Sequence, residues 1–279
     1  MEKTRIAPTP SGFLHAGNAF NFLVTAGLAG SFGAELTLRI DDLDAERTRP
    51  EFVEDVFRSL NWLGIRWHHG PLGPDDFRAT WSQQLRLERY RSLVERLRGL
   101  DLLYPCDCSR TQLSEQERGG HRCRELTAIG AADGIPLRLR IPAHGVVEMR
   151  ELNGRPTELD LAALMPDPVI LQRGSGRPSY QIASLCDDLD QGTTFIVRGA
   201  DLLPSTACQL YLAEVLHEHA FGAIRFHHHP LTRDPAGQKL SKSTGSTALK
   251  SIYDAGLSAD ILQAEANSYL KQVLTGVTR

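Results

Sequence analysis

Lys3-Thr-Arg5-Ile-Ala-Pro8-Thr9-Pro-Ser11-Gly12-Phe-Leu-His15-Ala-Gly17-Asn18 reads as a short strand, a Pro- and Gly-rich turn and the opening of a helix. The helix runs on from Asn18 to Ala29, with Ala19, Phe22, Leu23 and Ala26 on one face. Glu35 to Ile40 alternates and then turns apolar, as a strand does, and ends in the acidic turn Asp41-Asp42-Leu-Asp44. Pro50 opens a second helix reaching about Leu63, with Thr48 as its cap, and a long helix spans Ser82 to Arg98. Strand, helix, strand, helix is the alternation of an α/β fold with a parallel sheet.

That rhythm breaks at residues 102–159, which hold a cysteine cluster and two short strands, Leu137–Ile141 and Val146–Leu152. It resumes with strands at Val169–Gln172 and Thr194–Val197, helices at Ser179–Leu189 and Thr206–Leu216, and a last strand at His227–Leu231. The expected organisation is a discontinuous catalytic domain, residues 1–101 and 160–245, an inserted subdomain, residues 102–159, and a short helical tail, residues 246–279.

With 279 residues, 41% of them apolar, the chain can build a real core. A net charge of −3 argues against a general polyanion binder. Any nucleic-acid contact needs a local basic surface, and Arg110, Arg118, Arg122, Arg124, Arg138, Arg140, Arg150 and Arg155 offer one; ordinary solvated arginines are the alternative. No stretch looks like a signal peptide or a membrane span, so a cytoplasmic protein without a membrane partner is the expectation. Cys106, Cys108 and Cys123 cluster as metal ligands do, whereas Cys186 and Cys208 read as small core residues.

Two segments carry chemistry. Backbone N–H groups at a helix start attract anions, Gly12 and Gly17 let a phosphate approach the backbone, and His15 can hydrogen-bond to it. Far along the chain, Gly237-Gln-Lys239-Leu-Ser241-Lys242-Ser243-Thr-Gly245 places two lysines three apart, which suits a clamp on polyphosphate. Each segment alone also reads as an unremarkable surface turn. Three adjacent histidines, His227 to His229, cannot converge on one metal from a strand and read as lining a nucleotide site. Asp187, Asp188 and Asp190 read as a structural cap and turn.

Together, His15-Ala-Gly-Asn18 and Lys239-Leu-Ser-Lys242-Ser243 resemble the paired signatures of class I aminoacyl-tRNA synthetases. Arg5-Ile-Ala-Pro-Thr-Pro-Ser11-Gly, Leu38-Arg-Ile-Asp-Asp-Leu-Asp44, Ser179-Tyr-Gln-Ile-Ala183 and Val197-Arg-Gly-Ala-Asp-Leu202 are similar to glutamyl-tRNA synthetase catalytic domains. The resemblance implies a Rossmann-like catalytic domain with a zinc-bearing insertion, using ATP, Mg²⁺ and L-glutamate. The short length resembles the glutamyl-queuosine tRNA(Asp) synthetases, which attach glutamate to queuosine in the tRNA(Asp) anticodon. By resemblance, Arg5 and Arg198 would meet the carboxylates of glutamate, Asp41 its ammonium, Tyr180, Thr9 and Ser11 its remaining polar atoms. His15, Gly17, Asn18 and Lys242 would hold ATP, with Lys239 assisting. The catalytic set is then His15, Lys242 and Lys239.

Two departures from the resemblance stand out. Asp41 occupies a position where the family usually has glutamate; the expectation is that glutamate still binds. The paralogue's tyrosine ligand to zinc is replaced by Gly119, so His121 is the nearest fourth ligand beside Cys106, Cys108 and Cys123. Other readings stay open: a glutamate–tRNA ligase charging a tRNA 3′ end, a tRNA-independent amino-acid adenylating enzyme, and a non-catalytic zinc-containing RNA-binding module.

Overall fold

The structure, a computed structural model, describes residues 1–108, 112, 122–129, 132, 134–231 and 248–277. Strand β1 (Lys3–Ile6) leads through the Pro-rich turn into helix α1 (Ala16–Phe32), and β2 (Glu35–Leu38) returns parallel to β1 with Arg5 opposite Thr37. Gly33 ends α1 in the left-handed region at φ 60°, where a side chain would be strained, and lets β2 follow at once. Helices α2 (Pro50–Trp62) and α3 (Leu87–Gly99) follow. Thr48 does not cap α2: Arg49 holds that position, and the Thr48 hydroxyl turns back to the Asp44 carbonyl. Nor does α3 start at Ser82; residues Gln83–Arg86 form a tighter 3₁₀ turn first, because Gln83 is pinned by Asp42.

Strands β3 (Leu103–Pro105), β4 (Leu137–Leu139) and β7 (Val169–Leu171) make a small antiparallel sheet. Between the last two lie β5 (Val146–Glu151) and β6 (Pro156–Asp160). They pair with each other, and β5 runs parallel beside β9 (Arg225–His229), which runs parallel beside β8 (Phe195–Gly199). The boundary expected at 159/160 therefore falls inside β6, and β7 beyond it pairs with β4 before it. Sequence rhythm misses this because strand pairing joins residues far apart in the chain.

Helix α4 (Tyr180–Asp190) precedes β8, and α5 (Leu203–Val215) links β8 to β9. The edge of β1 meets β8 where the Thr194 N–H donates to the Lys3 carbonyl at 2.8 Å. Two apolar clusters fill the interior. One surrounds α1, α2, β1 and β2; the other lies among α3, α4, α5 and the small sheet.

The tail is more than helical stubs. Helix α6 (Leu249–Asp254) and α7 (Asp260–Val277) belong to the first cluster. Leu270 of α7 sits where a Cβ on Gly27 would stand, so glycine there lets the two helices approach closely. Among the described residues, no helix is long and apolar enough to cross a membrane.

Candidate active site

The C-terminal ends of β1, β2 and β8 and the start of α1 converge on one region. His15 is the N-cap of α1. Its Nδ1 accepts the Gly17 N–H at 3.1 Å, and Asn18 Oδ1 accepts the His15 N–H at 3.0 Å. This reciprocal capping fixes the imidazole and the helix start together. The start of α1 is thus built from His15, Gly17 and Asn18, the three residues read as ATP ligands.

Lys239 and Lys242 lie outside the described residues, but both flanks of their segment are described. Ala248 forms an antiparallel bridge with His15, and the Leu249 N–H donates to the Leu14 carbonyl at 2.8 Å. On the other flank, His229 Nε2 lies 3.0 Å from Asn21 Oδ1, and its ring packs edge-on against Phe20. Both flanks therefore touch the first turns of α1.

Deeper in, a buried network of charges gathers. Arg5 on β1, Arg39 just after β2 and Arg198 on β8 surround Asp188 of α4. Arg5 Nε is 2.7 Å and Arg39 Nη1 2.9 Å from Asp188 Oδ1, while Arg198 Nη2 is 4.0 Å from Oδ2. Burial pushes the Asp188 carboxyl up, but the three guanidiniums overcome it and hold it below the usual carboxylate range. Arg198 is 2% exposed. Its Nη1 is held by Thr206 Oγ1 at 3.2 Å and Gln209 Oε1 at 2.9 Å, while Nε and Nη2 have no hydrogen-bond partner. Burial pulls its pKa down despite the support of nearby Tyr180, the first residue of α4. Thr9 and Ser11 lie in the adjoining turn, where the Ser11 N–H bonds to the Thr9 carbonyl and the Asp41 N–H to the Pro8 carbonyl.

Asp41 is not laid open for an ammonium. Arg39 holds both its oxygens, Nε to Oδ1 at 2.7 Å and Nη2 to Oδ2 at 3.2 Å. Arg39 and Asp41 stand two residues apart and so share a face of an extended chain. Burial raises the Asp41 carboxyl further than Arg39 lowers it. An ammonium at Asp41 must share it with Arg39.

Sequence reasoning missed Arg39, Gln83, Asp187 and Asp188. Asp187 and Asp188, read as a structural cap and turn, are buried within α4 instead: Asp187 accepts the Tyr90 hydroxyl at 2.9 Å and Gln83 Nε2 at 2.8 Å, and pairs with Arg86. A signal was present. Asp188 follows Ile182 and Leu185 at helical spacing, and a charge on an apolar face requires a partner.

The histidine strand alternates as expected. His228 Nε2 lies 2.8 Å from Thr206 Oγ1, the same hydroxyl that holds Arg198, while His227 Nε2 lies 3.0 Å from the Tyr269 hydroxyl. Burial lowers His227 to about 4; burial together with Arg198 lowers His228 to about 3. The unfolded chain takes up these protons first, so the stability they contribute is complete above about pH 6.5 and lost as pH falls toward 4. Melting temperature should therefore fall between pH 7 and pH 4.5, and His228→Asn should remove part of that fall. An equal fall in the variant would refute the assignment.

The Sγ atoms of Cys106, Cys108 and Cys123 lie within 4.8 Å of one another, with Cys108 and Cys123 at 3.7 Å. Tetrahedral zinc at about 2.3 Å from each sulfur sets neighbouring sulfurs about 3.8 Å apart. The thiol set fits zinc; His121 lies outside the described residues. Cys186 and Cys208 are buried core residues, as read.

Three of the six described arginines of the stripe bond to backbone carbonyls, Arg124 while still exposed. Arg140 donates to the carbonyls of Arg124, Asp101 and Leu126, Arg138 to that of Asp167, and Arg124 to that of Ile141. Arg122, Arg150 and Arg155 remain exposed; Arg110 and Arg118 lie outside the described residues.

Parallel strands β1 and β2 joined by α1, and parallel strands β8 and β9 joined by α5, make an α/β arrangement with the helix start and the buried guanidiniums at one end. Residues 2–260 match the family described as tRNA synthetases class I (E and Q), catalytic domain, and the chain belongs to that family. It is 32% identical over 264 residues to a glutamate–tRNA ligase of Nitratidesulfovibrio vulgaris, covering 91% of this chain and 54% of that one. It is 35% identical over 274 residues to glutamate–tRNA ligase 2 of Acidiphilium cryptum, covering 93% and 59%. A crystal structure of a glutamate tRNA ligase from Elizabethkingia meningosepticum, in complex with its amino acid, superposes with a TM-score of 0.65 at 25% identity, covering 88% of this chain and 52% of that one. The chain spans about half the length of the curated relatives it matches.

Proposed function

We propose that the protein activates L-glutamate with ATP, forming glutamyl-adenylate and pyrophosphate. The observation that carries this is Arg198: a buried guanidinium whose Nε and Nη2 have no hydrogen-bond partner, with Asp188 only at 4.0 Å from Nη2, next to Arg5. Such donors call for an anion, and a carboxylate matches their geometry. With the side-chain carboxylate seated there, the α-carboxylate oxygen attacks the α-phosphorus of ATP. The bond to the β-phosphate bridging oxygen breaks and pyrophosphate leaves. No protein nucleophile is needed; positioning and charge neutralisation suffice. The start of α1, with His15, Gly17 and Asn18, would receive the phosphates with Mg²⁺. By motif resemblance, Lys242 would meet the same phosphates. Lys239 would assist. Thr9, Ser11 and Tyr180 line the amino-acid side, and the ammonium would share Asp41 with Arg39.

The test is ATP–pyrophosphate exchange with each amino acid in turn, with and without tRNA. Glutamate-dependent exchange without tRNA supports the reading; exchange driven only by another amino acid overturns it.

For the second step the acceptor would be tRNA, and queuosine in the anticodon of tRNA(Asp) is the acceptor that resemblance to the short paralogue implies; no residue of the site specifies it. Mapping labelled glutamate to the anticodon fragment supports that acceptor; label at the 3′ end makes the protein a glutamate–tRNA ligase in its chemistry as well. Zinc held by Cys106, Cys108 and Cys123, with His121 as fourth ligand, would order the inserted segment and take no part in the chemistry. Chelation should release one zinc per chain and lower the melting temperature while exchange persists. Loss of exchange on chelation would contradict a purely structural role.

A further inference from the structure

We infer that Asp55 is a positioning residue for the ATP half of the site, an inference that rests on the proposed adenylation. Asp55 lies on α2 among Val53, Val56, Phe57 and Leu60 and is 2% exposed. An ionisable side chain there is costly unless its oxygens are used. Both are. Oδ2 accepts the Leu14 N–H at 2.9 Å, and Oδ1 accepts the Tyr253 hydroxyl at 2.5 Å.

These contacts close a ring. Leu14 immediately precedes His15, the cap of α1. Tyr253 lies on α6, the helix that follows the lysine segment, and the first residue of α6, Leu249, donates its N–H to the Leu14 carbonyl at 2.8 Å. The Leu14 backbone is thus gripped from one side by Asp55 and from the other by α6, and Tyr253 joins the two grips. One carboxylate sets the start of α1 against the end of the lysine segment, the two places proposed to hold triphosphate. The glutamate half, built on Arg5, Arg198 and Asp188, is a separate network with no hydrogen bond to Asp55 among the described residues.

A second contact between the same helices supplies the control. Arg58 of α2 lies over the Tyr253 ring at 4.8 Å and pairs with Asp254 at 3.1 Å, but it does not reach Leu14. If α6 needs only to be clasped to α2, losing Arg58 should act like losing the Tyr253 hydroxyl.

The experiment uses the full chain and the variants Tyr253→Phe, Asp55→Asn and Arg58→Met. ATP binding is measured by calorimetry without amino acid, and KM for ATP and for glutamate by pyrophosphate exchange. Tyr253→Phe and Asp55→Asn should weaken ATP binding and raise its KM by roughly fivefold to tenfold, the loss of about one buried hydrogen bond. The KM for glutamate should stay within about twofold, and Arg58→Met should resemble the parent. Tyr253→Phe keeps the packing, so it decides the question even if Asp55→Asn folds poorly. Unchanged ATP affinity in Tyr253→Phe, or ATP and glutamate constants that rise together, overturns the inference. A parent that binds ATP but shows no exchange with glutamate sinks the functional reading, while the ATP titrations still decide the role of Asp55. A parent that does not bind ATP sinks both.

Discussion

Arg198→Met should lower kcat/KM for glutamate in pyrophosphate exchange by roughly a hundredfold or more, equivalent to about 3 kcal/mol. The guanidinium is buried, and its Nε and Nη2 make no hydrogen bond to the protein. A substrate carboxylate seated there forms charge-assisted bonds in a region that excludes water, where each is worth most. Methionine fills a similar volume and supplies none of them. Arg198→Lys should rescue little, because one ammonium cannot reproduce a planar fork. Thr206 and Gln209 lose the Arg198 donor, so some fall in melting temperature is expected, and the kinetic loss is read at a temperature where each variant remains folded. A fall of less than about fivefold would remove Arg198 from the substrate pocket.

Asp188→Ala should have the largest effect on stability, a loss of about 4 kcal/mol in denaturant unfolding. It leaves Arg5, Arg39 and Arg198 crowded together with their shared counter-charge gone, in a region with almost no solvent. The native carboxyl is held below its ordinary pKa, so its contribution is complete above about pH 4 and is lost as pH falls through the lower native value. Asp41 and Asp42 behave oppositely, since burial raises both. They favour the native state more as they protonate. The deficit of Asp188→Ala should thus be largest at neutral pH and shrink in acid. A deficit below about 1 kcal/mol at pH 7 would mean that the arginines do not depend on Asp188.

The parts of this site that were legible in the sequence are local. Pro8 to Asn18 reads as a turn entering a helix because its prolines and glycines lie within one short stretch, and α1 starts there. Strand alternation alone predicts that neighbouring histidines face different partners, and His228 meets Thr206 while His227 meets Tyr269. What escaped reading depends on distance. Arg39 looked like one arginine among many until the fold brought Asp188, 149 residues away, to its guanidinium. Arg39 also turns back onto Asp41, two residues on, so that an ammonium at Asp41 would share it. Arg124, Arg138 and Arg140 read as a basic surface by composition, yet they cap carbonyls of neighbouring turns, contacts that no local pattern encodes. Strand β5 likewise joins β9 from within a segment that looked independent.

The central claim is that the buried guanidiniums select a negative side chain, and glutamine offers the sharpest comparison because it differs from glutamate by that charge. Calorimetric titration of the protein with each, in the presence of ATP and Mg²⁺, should show glutamate binding at least about tenfold more tightly, with the preference lost in Arg198→Met. Equal affinity for the two, or a preference for glutamine, would contradict the account.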